Sequence, residues 1–244
     1  DATLPLFGAA LAGGVAGIAG SVARGRLVDN ASATEEHRRA TVLRLVAWNV
    51  LSFAPYLIYN NGMVLLVGVF SGPVGAGVFA ATRIFAAPVQ VLISAVDNTD
   101  KPKASRAMAA GGRRALVDSL KETAGLHFAI ATPYLLVLLL CADLLSSLLL
   151  GDAYTEYASM GRVWAVVCAL MLVVQPLETG LIVLRKGDLL FWSRAATASA
   201  SICATAVLAP QFEVAGAIYA LFAAWCVGAT ASVASLATQL RAGS

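Results

Sequence analysis

The sequence predicts an all-α polytopic membrane protein with about seven transmembrane helices, and three observations carry that prediction. Of its 244 residues, 59% are hydrophobic and only 13% charged, whereas soluble domains run at about 45–50% and about 25%. The mean hydropathy is +0.79. The apolar stretches also recur at the length of about 20 residues that a helix needs to cross a bilayer. So few charges exclude an ordinary soluble domain, a disordered chain and a nucleic-acid-binding domain, none of which could be solvated or recruit phosphates this way.

Taken in order, the first span runs from Leu4 to Ala23, where Gly13 and Gly17 form a GxxxG pair that permits close helix approach. The second, Thr41 to Phe70, and the fifth, Tyr157 to Leu184, exceed what the hydrocarbon core requires, so tilt, projection or a break is expected in each. Between and after them lie Gly75 to Val96, Leu120 to Cys141, Leu189 to Ala209 and Val214 to Leu236. Pro55, Pro88, Pro133 and Pro176 each fall inside a span, and kinks there suit a protein that rocks between states.

Fifteen of the 17 Lys and Arg residues fall on alternate connections. Arg24, Arg26, Arg38, Arg39 and Arg44 follow the first span. Lys101, Lys103, Arg106, Arg113, Arg114 and Lys121 lie between the third and fourth. Arg185, Lys186 and Arg194 join the fifth to the sixth, and Arg241 follows the last. The remaining connections carry Asp143, Asp152, Glu156 and Glu213, with Arg162 as the cation nearest that face. Because cytoplasmic loops retain positive charge, the pattern predicts an outside N-terminus and a cytoplasmic C-terminus. A chain that starts outside at Asp1 without a signal region is expected to be a fragment lacking upstream helices.

The motifs of hydrolases and NTPases, HExxH, GxSxG and GxxxxGK[ST], are absent from the sequence, so no enzymatic chemistry, metal or cofactor is expected. Cys141, Cys168, Cys203 and Cys226 stand alone in apolar runs and read as packing thiols. His37 and His127, each isolated, read as solvated or locally paired. The segment Asn98 to Glu122 reads as the most structured of the connections, cytoplasmic and with Leu116, Val117 and Leu120 at helical spacing, either a positive loop or a stretch lying on an anionic leaflet.

An ionisable side chain at bilayer depth is costly unless it meets a partner or a wet cavity, which makes it a functional candidate. Arg83 lies about 13 Å along a helix from Val74, near the midplane of a core about 30 Å thick. Its guanidinium fork suits a phosphate or carboxylate, or an internal ion pair. Glu178, near the inner end of the fifth span, is expected to face a cavity, meet Arg83, couple protons or reach headgroups. Asn49, Asn60, Asn61 and Gln90 offer uncharged hydrogen-bond groups for a sugar-lined route or for interhelical bonds. Asn49, Tyr56 and Asn60 fall at spacings that share a helix face.

The second and third spans resemble the multidrug/oligosaccharidyl-lipid/polysaccharide exporter superfamily, specifically its bacterial polysaccharide flippases. The residues concerned are Leu43-Arg44-Leu45, which opens a long helix ending near Asn60-Asn61-Gly62, then Gly75-Ala76-Gly77-Val78-Phe79-Ala80-Ala81-Thr82-Arg83-Ile84, and Lys101-Pro102-Lys103-Ala104-Ser105-Arg106. The resemblance implies two six-helix lobes. Residues 1–40 would be the last helix of the N-terminal lobe with a basic inter-lobe loop, and residues 41–244 the C-terminal exporter-type lobe. It also implies a bacterial inner-membrane location, alternating access around a cationic cavity, and Arg83 as a cavity cation. Where relatives often have an acidic residue near the end of the second span, this chain has Asn60-Asn61-Gly62-Met63, which argues against cation-coupled exchange through that helix.

The expected function is translocation of an undecaprenyl-diphosphate-linked oligosaccharide for cell-surface polysaccharide, such as lipopolysaccharide. Substrate contacts are expected at Arg83, Asn49, Asn60, Gln90 and Glu178. The partners would be the lipid-linked oligosaccharide, membrane lipids and the missing N-terminal lobe. A drug or cation exporter of the same superfamily and a non-transporting scaffold in polysaccharide assembly are the alternatives.

Overall fold

The computed structural model describes residues 42–43, 46–151 and 157–241. The predicted first span, its GxxxG pair, the basic loop with His37, and Arg44, Asp152 and Glu156 lie outside the described residues. The chain divides into two units, Asp1–Trp48 and Asn49–Ser244. In the first unit the described residues, 42–43 and 46–48, are helical.

In the second unit the described residues form helices α1 (Phe53–Leu57), α2 (Met63–Thr82), α3 (Ala87–Leu140), α4 (Ala142–Leu150), α5 (Ala158–Val183) and α6 (Gly187–Arg241). A π-helical segment, Ile58–Gly62, joins α1 to α2, and a 3-10 segment, Arg83–Ala86, joins α2 to α3. Three helical stretches, Val46–Leu140, Ala158–Val183 and Gly187–Arg241, are long and apolar enough to cross a membrane.

These long helices are folded back on themselves. Non-helical backbone interrupts α2 at Gly72, α3 at Gly111 and Gly112, and α6 at Glu213. A Cβ placed on Gly68 would touch Ala76 at 3.5 Å, although eight residues of straight helix span about 12 Å. Side-chain pairs mirror the same reversals. Asn60 and Arg83 lie about equally far from Gly72 and are hydrogen-bonded; Asp100 and Thr123 are related in the same way about Gly112; and Thr197 and Gly228 touch on either side of Glu213.

The result is a set of antiparallel segments, 53–71, 73–110, 113–140, 158–183, 187–212 and 214–241. Gly75 approaches Val214, so the reversals at Gly72 and Glu213 share one end. Arg113 donates to the Leu240 carbonyl at 3.3 Å, which places the Gly112 reversal beside the C-terminal end of α6.

Local chemistry explains the breaks. Gly72 (φ 70°, ψ −179°) and Gly112 (φ 65°, ψ −154°) occupy backbone that is essentially restricted to glycine, and Pro73 supplies no N–H to carry the helix across. Between α5 and α6 the turn is a Schellman motif. Lys186 N–H reaches the Leu181 carbonyl at 2.9 Å and Arg185 N–H the Ile182 carbonyl at 3.0 Å, with Arg185 left-handed at φ 57°.

Asn98 to Glu122 is a helical hairpin, in which Lys103 pairs with Glu122 at 2.8 Å and the bend sits at Gly111 and Gly112. The helical spacing of Leu116, Val117 and Leu120 agrees with its second arm, and the charges sit on helical arms that continue past the apolar stretch. The connection between the fourth and fifth spans also holds a helix, α4.

The main core brings Met63, Phe79, Phe85, Trp164, Leu172 and Ile218 together from four of the segments. Large apolar side chains cover the outside, Leu65, Val69 and Val74 being 74–79% exposed. For a chain of this composition, that is the surface a lipid environment requires.

Candidate functional site

Pro88 lies in the first turn of α3. Its ring cannot donate to the preceding turn, and the backbone before it tightens into the 3-10 segment that begins at Arg83. Tyr134 fastens this segment by donating to the Phe85 carbonyl at 2.7 Å. On the facing segment, Asn60 sits within the π-helical stretch, where the helix widens and changes phase. Two irregular turns thus meet across the hairpin, and Arg83 Nη2 donates to Asn60 Oδ1 at 2.8 Å.

Two small neighbouring cavities open here. Tyr59, Asn60, Gln90, Met171 and Trp225 line both. The first adds Arg83, Phe79 and Trp164. The second adds Tyr56, Gln175, Glu178 and Arg194. Aromatic rings line the path, with Tyr56 edge-on to Tyr59 at 5.4 Å and Tyr59 edge-on to Trp225 at 5.8 Å.

Of the residues expected at a site, Arg83, Asn60, Gln90 and Glu178 all line these cavities. Asn49 is exposed and lines neither. Of the expected Asn49, Tyr56 and Asn60 face, Tyr56 and Asn60 line the same cavity and Asn49 does not. Asn61, one residue past the bonded Asn60, is exposed.

Glu178 meets Arg194 instead of Arg83. The pair is bidentate, Nη2 to Oε2 at 2.5 Å and Nε to Oε1 at 3.1 Å, and the two side chains are only 11% and 16% exposed. Arg194 also donates to Ser52 Oγ at 3.3 Å and lies 5.6 Å from the centre of the Tyr56 ring, within cation–π range. Sequence reasoning had counted Arg194 among the connection charges and left Arg83 alone at depth. A signal was present, because Glu178 and Arg194 are mirror positions about the Leu184–Lys186 turn.

The electrostatics of the two cations therefore differ. Glu178 neutralises Arg194, whereas among the described residues no carboxylate pairs with Arg83, whose recorded partner is the neutral Asn60 amide. An unneutralised guanidinium beside an open cavity is equipped to take two oxygens of an anion.

A family model described as a polysaccharide biosynthesis protein matches residues 32–159, more than half of the chain. The chain belongs to this polysaccharide biosynthesis family. The matched region includes Asn60, Arg83 and Gln90, and α5 and α6 extend beyond it. No curated protein and no solved structure matches the chain.

Proposed function

We propose that this polysaccharide biosynthesis family member is a flippase that moves an undecaprenyl-diphosphate-linked oligosaccharide across the bacterial inner membrane by alternating access, with no covalent step. The observation that carries the reading is Arg83, a cation without an acidic partner among the described residues, at a cavity lined by amides and aromatic rings and surrounded by apolar helices. The diphosphate takes the guanidinium. Asn60 and Gln90 offer hydrogen bonds to sugar hydroxyls, and Tyr59 and Trp225 offer ring faces. The exposed apolar surface accommodates the polyprenyl tail.

In this reading the six antiparallel segments form one exporter-type lobe, with residues 1–40 belonging to the last helix and loop of a preceding lobe. The Gly112 and Arg185 ends face the cytoplasm and the Gly72 and Glu213 ends face outward, because Lys and Arg cluster at the former. A drug or cation exporter has less support, since the acid that lines the cavity, Glu178, is neutralised by Arg194.

The test is Arg83→Ala in the full-length protein. Surface polysaccharide should be lost while the amount of protein in the membrane is unchanged, and normal polysaccharide would overturn the proposal.

A further inference from the structure

Among the described residues, the buried side-chain polar atoms without a hydrogen-bond partner belong to Ser71, Ser119, His127, Trp164 and Thr179. His127 is 1% exposed and neither of its ring nitrogens is bonded, which corrects the expectation that it is solvated or locally paired. A buried polar atom left unpaired calls for an explanation. One that borders a cavity can be completed by whatever enters the cavity. Of these five residues only Trp164 lines either of the two cavities, and it lines the one that holds Arg83.

Trp164 is 3% exposed, and its indole Nε1–H can donate but not accept. Its ring lies 6.5 Å from that of Phe79. Phe79 precedes Arg83 by one helical turn, a spacing that places the two on one face. Arg83 spends Nη2 on Asn60 Oδ1, and among the described residues its other N–H groups make no hydrogen bond. A guanidinium, like an indole, has nothing to accept with. No carboxylate borders this cavity, whose walls are otherwise amide, aromatic and apolar. Two unfilled donors, one of them charged, fit a ligand group that accepts and carries negative charge, which is the chemistry of a phosphate or diphosphate oxygen.

We infer that Trp164 belongs to the anion site, its indole N–H taking one oxygen of a phosphate or diphosphate group while Arg83 takes others. The guanidinium supplies charge, and the neutral, rigid indole supplies direction. Asn60 is a positioning residue that holds Arg83 by Nη2. Because Trp164 stands on α5 and Arg83 at the end of α2, one bound anion ties α5 to the α2–α3 hairpin. It also gives a buried donor the acceptor that it lacks. That the anion arrives on a lipid rests on the flippase reading; the donor pair itself suits a free diphosphate as well.

The test is NMR of the full-length protein, with 15N-labelled tryptophan, in nanodiscs of zwitterionic lipid. The Trp164 indole signal is the one that disappears in Trp164→Phe. Undecaprenyl diphosphate should move that signal downfield. Trp164→Phe keeps an apolar ring and removes the N–H, and should weaken binding of radiolabelled undecaprenyl diphosphate about tenfold, whereas Arg83→Ala should abolish it. Binding that needs Arg83 but is as tight in Trp164→Phe, with the indole signal unmoved in the wild type, would overturn the role of Trp164 and leave the flippase reading standing. If undecaprenyl diphosphate does not bind, the flippase reading falls and inorganic diphosphate decides the site. A downfield shift of the same indole signal then keeps it as a site for a free anion, and an unmoved signal overturns it.

Discussion

Arg83 and Arg194 are the same residue type in similar surroundings, yet their partners assign them different work. Arg83 has an amide partner, so its charge is available to a ligand. Lys at this position would keep the charge but lose the fork, and Arg83→Lys should leave only part of the surface polysaccharide that Arg83→Ala abolishes. Arg194 is committed to Glu178. Removing one member of a buried pair strands the other, at a cost of about 3–5 kcal/mol, whereas replacing both with apolar residues is often neutral. Accordingly, Arg194→Met alone should lower the melting temperature in detergent more than the combined Arg194→Met and Glu178→Leu change. Equal losses would show that the pair is too wet to matter. Arg83 was legible in the sequence because an ion inside an apolar run stands out. Arg194 was not, because it sits where connection charges are expected and its partner is 16 residues away.

At the scale of elements, the reversals carry the specificity. Glu213 adopts φ 51° and ψ −127°, the first central position of a type II′ turn, which glycine favours. Glu213→Gly should therefore stabilise the α6 hairpin, by about 1 kcal/mol. Gly72→Ala and Gly112→Ala should each destabilise by about 1–3 kcal/mol, and thermal unfolding of the three variants checks both signs. The turns near Ser71–Val74 and Pro210–Glu213 could be read from the sequence because they interrupt apolar runs. Of the arms around Gly112, the spacing of Leu116, Val117 and Leu120 marks the second as helix, whereas the first is hidden because projection beyond the bilayer places polar residues on regular helix. The widening at Ile58–Gly62 also left no local signal in the composition.

Within the unit Asn49–Ser244, the mirror pairs about Gly72, Gly112, Arg185 and Glu213 make an up-and-down arrangement with two distinct ends. Hydropathy had anticipated it, since a lipid-facing surface and an alternating charge pattern are properties of the entire chain. The cavity was less legible, because it is assembled from residues far apart in sequence, Tyr59, Gln90, Met171 and Trp225 among them. Single cysteines placed at Gly112 and Lys186 should be shielded from a membrane-impermeant thiol reagent added to intact cells, and cysteines at Gly72 and Gln211 should be labelled. Labelling of the first pair would invert the assignment of the faces.

The closeness of Glu178 to Arg194 along the chain bears on how the protein is made. Each charge alone opposes partition of its helix into lipid. Because one tight turn separates the two helices, the charges can cancel as soon as residue 194 has left the ribosome and before the last helix exists. The α5–α6 hairpin is thus built to enter the bilayer as a pair. Nascent chains arrested beyond residue 212 should integrate efficiently with both charges present and poorly with Arg194→Leu, whose unmatched Glu178 must then enter alone.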